Sequence, residues 1–121
     1  MITLTIDHEL QSLNVWERYN RHKRVRVKEG LMLQLISAAN HAGIGHHTPS
    51  NFLTHVAIRS YRARLLDQDN LEASKKPLLD AIVRAGLAFD DGPRSMHSTI
   101  SQTVNAAHRR TEVDLEWEDR R

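Results

Sequence analysis

The chain has 121 residues, of which 40% are hydrophobic and 26% charged, and this composition predicts one ordinary globular domain spanning residues 1–121. Cysteine is absent, which excludes disulfide bonds, thiolate zinc sites and cysteine catalysis. The formal net charge is only +2, but acids and cations are concentrated in different segments. No stretch approaches the roughly 20 apolar residues of a membrane span, and the N-terminus lacks a signal-peptide pattern. We therefore expect a cytoplasmic protein without a membrane partner.

Residues 2–7 alternate apolar and polar side chains, which predicts a first strand with one buried face. The following segment, residues 14–28, is rich in Lys and Arg, nearly lacks acids and contains Trp16 and Tyr19. Cations with interleaved aromatic rings are typical of surfaces that contact a phosphate backbone and stack on unpaired bases. A solvated basic loop is the alternative. The candidate nucleic-acid contacts in this segment are Asn14, Arg18, Arg21, Lys23 and Arg24.

A helical period begins at Glu29, and Gly43 is the expected terminator of this first helix. Its apolar stripe consists of Leu31, Met32, Leu35, Ile36 and Ala39. The loop that follows contains His46 and His47 between Gly and Pro residues, a setting that favours surface histidines over a zinc site.

Residues 52–66 combine β-branched and aromatic residues with arginines, which predicts a second strand with Asp67 and Asp69 at its end. Side chains two apart on a strand share a face, with Cα atoms roughly 6 to 7 Å apart, so the two carboxylates can converge on a divalent cation. Carboxylate oxygens are ligands that Mg²⁺ prefers. The alternative is a solvated acidic turn in which Asn70 caps a helix.

A second helix is expected from Ser74, its cap, to Gly86, with Pro77 in the first turn. The turn that carries Asp90 and Asp91 follows, and its acids can return to the Asp67 cluster. Residues 95–105 and 111–118 then predict two further strands. The predicted fold class is therefore α+β, a small mixed sheet packed with two helices in the order βαβαββ.

Several groups of these residues share their spacing with a known family. They are Asp67-x-Asp69-Asn70-Leu71, Lys76-x-x-x-Asp80-Ala81, Ala85-Gly86-Leu87 and Asp90-Asp91. This pattern resembles the signature of the RusA-type Holliday junction resolvases. The resemblance covers nearly the whole chain, since it includes the segment 14–26 and the pair Glu29-Gly30 at the start of the first helix.

The resemblance implies a homodimeric, Mg²⁺-dependent endodeoxyribonuclease, of bacterial or phage origin, that cuts opposed strands of four-way DNA junctions in recombination and repair. It implies Asp67, Asp69 and Asp91 as catalytic metal ligands, with Mn²⁺ able to substitute, and Lys76 as the catalytic lysine. Lys75 is the alternative for that lysine. The expected DNA contacts also include Arg59, Arg62, Arg64 and Asn70. A non-catalytic DNA-binding protein and a nuclease for other branched DNA are the alternative functions.

Overall fold

The computed structural model describes residues 1–45 and 47–121, and the predicted histidine loop therefore includes one residue, His46, that lies outside the described part. In chain order the elements are β1 (Ile2–Ile6), α1 (Leu13–Arg18), α2 (Arg21–His41), β2 (Phe52–Arg62), α3 (Gln68–Ser74), α4 (Lys76–Arg84), β3 (Met96–Val104) and β4 (Arg110–Asp119). No helix within the described ranges is both long and apolar enough to cross a membrane.

The strands form one four-stranded mixed sheet in the order β1-β4-β2-β3. The central strand β2 pairs in parallel with β3 and antiparallel with β4, so that Ile58 lies opposite both Ile100 and Val113. A parallel connection needs a crossover. Helices α3 and α4 provide it, and the candidate acids lie on this crossover.

The hydrophobic core lies between α2, α4 and one face of the sheet. Leu35 of α2, Ile82 of α4 and Ile58 of β2 are at most 1% exposed and belong to the same cluster. The opposite face of the sheet carries polar side chains, among them Arg59 and Asp114. Because α2 and α4 pack on the same face of the sheet, the candidate site lies on that side of the molecule.

The α+β class, the mixed sheet and the first and last two strands are confirmed. The helix predicted from Glu29 is α2, and it begins earlier, at Arg21. The Asn20 side chain caps it by accepting a hydrogen bond of 2.9 Å from the Lys23 amide. The pair Glu29-Gly30 therefore lies inside α2 and does not open it. As predicted, the helix ends before Gly43, which has a φ of 72°.

The predicted order βαβαββ was incomplete, because α1 and α3 are additional helices. Strand β2 ends at Arg62 rather than at residue 66, and α3 begins directly after Asp67. Ser74 does not cap the next helix; it is the last residue of α3, and its hydroxyl donates to the Leu71 carbonyl at 2.6 Å. Helix α4 begins at Lys76, with Pro77 in its first turn as expected.

Candidate functional site

Asp67 and Asp69 lie at the beginning of α3 and not at the end of a strand. Asp67 Oδ1 accepts a hydrogen bond of 2.9 Å from the Asn70 amide, and Asp67 Oδ2 accepts one of 3.1 Å from Asn70 Nδ2. Asp67 is therefore the N-cap residue of α3, and Asn70 does not cap a helix. The prediction that the two acids share one face of a strand was wrong, because the cap turns the chain into helical geometry.

Lys76, at the beginning of α4, contacts two carboxylates. Its ammonium pairs with Asp91 Oδ2 in the loop after α4 and lies 3.1 Å from Asp80 Oδ1, one helical turn further along. The other oxygen of Asp80 is 2.9 Å from the Lys28 ammonium of α2. We refer to Lys28, Asp80, Lys76 and Asp91 as the lysine–aspartate network. It joins three separate segments of the chain.

Lys75 lies in a different environment. Its ammonium pairs with Glu72 on α3, and its side chain is only 15% exposed, against 63% for Lys76. Lys76 is therefore the lysine that reaches Asp91 and remains accessible to a ligand.

Lys76 and Asp91 each stabilise the charged form of the other. Hydrogen bonds from Lys76 to Asp91 and then to Asp80 raise the pKa of the Lys76 ammonium. The hydrogen bond from Lys76 is also the main cause that lowers the pKa of the Asp91 carboxyl. At neutral pH the lysine is positive and the aspartate negative.

An open cleft of about 340 Å³ adjoins the network. Lys28, Asp80, Val83, Arg84, Asp90 and Asp91 line it. Both anionic and cationic groups face this cleft, and such a surface can bind a phosphate together with its counterion.

Among residues 1–45 and 47–121, no group of three or more His, Asp or Glu side chains lies close enough together to hold a metal ion. The structure thus does not bring Asp67, Asp69 and Asp91 into one ligand cluster, because Asp67 caps α3 and Asp91 pairs with Lys76. The donor chemistry nevertheless fits Mg²⁺, which binds through one or two carboxylates. An ionised carboxylate offers about four lone-pair sites, so Asp67 can keep its two cap bonds and still donate to a cation.

The basic segment is helical and partly tied down. Arg24 donates to the carbonyls of Trp16 and Glu17, each at 3.2 Å, and so fastens the last turn of α1 to α2. The Lys23 ammonium lies 4.3 Å from the centre of the Tyr19 ring. The basic segment therefore forms two helices rather than a loop. Arg24 has a structural role, because it joins them.

Of the candidate contacts in this segment, Asn14, Arg18, Arg21 and Lys23 are exposed, and Arg24 is half-buried. Arg18 and Arg21 form no ion pair with any residue that the structure describes. Their charges are consequently available to a polyanion.

Contrary to the expectation, the three arginines in and just after β2 do not all lie where they could contact DNA. Arg62 is 5% exposed, donates to the Leu10 carbonyl at 2.6 Å and cannot reach a phosphate from this position; burial lowers its pKa. Arg59 lies on the sheet face away from the helices and pairs with Asp114 and Glu112. The hydrogen bond to Asp114 is the main cause that raises the pKa of Arg59. Only Arg64, in the loop before α3, is exposed.

From the sequence, Asp80 is expected to form only a surface ion pair with Lys76, and the structure contains this pair at 3.1 Å, but the contact of Asp80 with Lys28 was missed. The spacing of four between Lys76 and Asp80 is a visible signal for a helical ion pair. No sequence signal points to the contact between Lys28 and Asp80, because it joins two different helices.

Comparisons with protein-family models, curated proteins and solved structures gave no match for this chain.

Proposed function

We propose that this protein is a Mg²⁺-dependent endodeoxyribonuclease that resolves four-way DNA junctions by hydrolysing opposed phosphodiester bonds. The observation that carries the proposal is the contact between Lys76 and Asp91. The resemblance assigns both residues to the site although 15 positions separate them, and they are adjacent in space. Lys76 lies beside Asp91, which lines an accessible cleft, and this arrangement suits the handling of a phosphate and its cation.

In this proposal Asp67, Asp69 and Asp91 would hold Mg²⁺, for which Mn²⁺ would substitute, and the chemistry supplied there would be an activated water and neutralisation of phosphate charge. Lys76 stays protonated because its two carboxylate partners raise its pKa. Its ammonium contacts a phosphate oxygen and stabilises the negative charge that grows there in the transition state.

The exposed cations of α1 and α2 offset the repulsion between the acids and DNA. Arg18, Arg21 and Lys23, with Asn14, contact the phosphate backbone, while Arg64 and Asn70 contact it beside the acids. A four-way junction has approximate two-fold symmetry, so a homodimer with two equal sites can make paired incisions. A cytoplasmic protein of a bacterium or a phage would meet such junctions during recombination.

The decisive experiment is cleavage of a synthetic four-way junction in Mg²⁺ by the wild-type protein and by Asp69→Asn. We expect Asp69→Asn to abolish cleavage while junction binding in Ca²⁺ remains. Asp7→Asn is the matched control, because Asp7 is an exposed acid at the end of β1, outside the proposed site. Cleavage by Asp69→Asn at the wild-type rate would disprove the assignment.

A DNA-binding protein without catalytic activity is the second candidate, and the capping role of Asp67 favours it, because this role explains the acid without a metal. Calorimetry discriminates the two functions. A carboxylate-dependent Mn²⁺ site supports the nuclease, and DNA binding without such a site supports the alternative.

Cleavage of junction, flap and linear duplex side by side separates a resolvase from a nuclease for other branched DNA.

A further inference from the structure

We propose that Asp80 is a positioning residue that holds the Lys76 ammonium at the cleavage site and connects it to the basic helix α2. This inference rests on the proposed function, since it gives Lys76 a phosphate to contact. It adds Asp80 and Lys28 to the four residues that the resemblance assigns.

The geometry of Asp80 supports this role directly. Its Oδ1 lies 3.1 Å from the Lys76 ammonium, and its Oδ2 lies 2.9 Å from the Lys28 ammonium. Each oxygen thus has its own cationic partner. The Asp80 side chain is 25% exposed, so solvent screens these contacts less than it would on an open surface.

Lys76 needs such a partner because its side chain is long and 63% exposed. An unrestrained lysine loses rotamer freedom when it is fixed in one geometry. Asp80 lies one turn along the same helix and therefore restrains the ammonium before any ligand arrives.

The second partner of Lys76 is Asp91, one of the proposed metal ligands. When Asp91 turns to a cation, its oxygen is less available to the lysine. Asp80 then remains as the carboxylate that keeps the ammonium beside the cleft. The network therefore separates two tasks, metal binding by Asp91 and lysine positioning by Asp80.

Lys28 connects this arrangement to the proposed DNA surface. It lies on α2, the helix that begins with the exposed basic residues, and it contacts the oxygen of the Asp80 carboxylate that Lys76 does not contact. Because a single carboxylate binds both lysines, the contact from α2 also restrains the carboxylate that holds the Lys76 ammonium.

The first test measures the order of the Lys76 ammonium by ¹⁵N relaxation of lysine Nζ in the full-length protein, without DNA or metal. Because Asp91 also holds this ammonium when no metal is present, the comparison is made in an Asp91→Asn background. We expect a restrained ammonium in Asp91→Asn and a clearly more mobile one when Asp80→Asn is added. Glu72→Gln is the matched control, because it removes the carboxylate partner of the neighbouring Lys75 and leaves Lys76 untouched. An ammonium equally mobile in Asp91→Asn and in the Asp80→Asn/Asp91→Asn double variant would overturn the proposal.

The second test measures cleavage and binding of a four-way junction separately. We expect Asp80→Asn to lower the cleavage rate constant about 10- to 100-fold while the junction Kd in Ca²⁺ is unchanged. In a Lys76→Met background, Asp80→Asn should cause no further loss, because Asp80 acts through Lys76. Additive losses in the double variant would contradict the proposed route.

Asp80→Glu keeps the charge and lengthens the side chain by one methylene, and it carries the test if Asp80→Asn does not fold. It should retain most of the ammonium order and most of the cleavage rate, and a rate as low as that of Lys76→Met would overturn the proposal. If the wild-type protein cleaves no junction, the proposed function fails. The relaxation experiment still decides whether Asp80 positions Lys76.

Discussion

The Lys76 ammonium contacts the Asp91 carboxylate although the two residues lie at opposite ends of α4 and its following loop. The chain reverses at Gly86, which has a φ of 79°, and the amides of Gly86 and Leu87 close the helix by donating to the carbonyls of Val83 and Ile82. Glycine adopts this φ without the strain that a Cβ would cause. The buried Leu87 fixes the direction of the loop that returns Asp91 to the first turn of α4.

The two adjacent lysines should differ in their effect on cleavage. We expect Lys76→Met to lower the cleavage rate constant by about 10²- to 10³-fold, because it removes a charged donor at the phosphate. Lys75→Met should stay within a few-fold of wild type, since Lys75 pairs with Glu72 and not with Asp91. Single-turnover cleavage in Mg²⁺ measures both, and the reverse ranking would assign the role to Lys75.

Substitutions of Asp67 separate its cap from its proposed role as a metal ligand. Asp67→Ala should lower the free energy of unfolding by about 1 kcal/mol, because the Asn70 amide loses its acceptor. Asp67→Ser should keep most of that stability, since a serine hydroxyl also accepts at a helix N-terminus. Urea denaturation measures this difference.

The cleavage assay then decides between the two roles. If Asp67 binds the metal, Asp67→Ser is stable and inactive. Wild-type cleavage by Asp67→Ser would show that the residue is only a cap.

Arg59→Gln should reduce stability without weakening DNA binding. Arg59 bonds to Asp114 and Glu112 on the face of the sheet away from α2, and their loss should cost about 1 kcal/mol at neutral pH. The Arg59 hydrogen bond is the main cause that lowers the pKa of the Asp114 carboxyl, so this stability is present above the ordinary value of 3.8. It is lost as the pH falls through the lowered pKa.

The measurement is urea denaturation of wild type and Arg59→Gln between neutral pH and pH 2 to 3. The two curves of stability against pH should converge at the acidic end. A constant difference over this range, or a weaker junction Kd for Arg59→Gln, would contradict the assignment of Arg59 to the sheet.

The exposed cations of the first two helices should dominate the salt dependence of binding. If Arg18 and Arg21 each neutralise one phosphate, replacing both with Gln should reduce the slope of log K against log salt by about 2. Arg59→Gln serves as the control and should leave the slope unchanged. Titrations of a four-way junction in Ca²⁺ at several salt concentrations measure these slopes, and an unchanged slope in the double variant would exclude this surface.

Parts of the fold were predictable because their patterns are local. The alternation of apolar and polar residues in β4 and the glycine that follows α2 both indicate their structures without tertiary information. The first half of α2 was missed because its three buried residues, Leu31, Leu35 and Ala39, all lie in its second half. The first half of α2 has no fully buried apolar side chain and so carries no apolar stripe from which to predict a helix.

Helix α3 was missed for a different reason. Asp67 follows a clear strand pattern, and an acid there is compatible with a strand end as well as with a helix cap. The hydrogen bond that Asp67 accepts from the Asn70 amide shows that Asp67 is a helix cap. This choice changes the relation between Asp67 and Asp69 from a shared strand face to the N-cap and the second helical residue of α3.

The order of residues by itself determined the α+β class, the strand segments and the spacing of the acids and lysines that carries the family resemblance, because each of these depends on near neighbours in the chain. Tertiary structure alone decided which charges from different segments of the chain meet. Packing of α2 against α4 brings Lys28 to Asp80, and the return of the loop after Gly86 brings Asp91 to Lys76. The tertiary structure also buries Arg62 and pairs Arg59 with Asp114 of β4. It does so because the environment of a side chain is set by residues that are distant in the sequence.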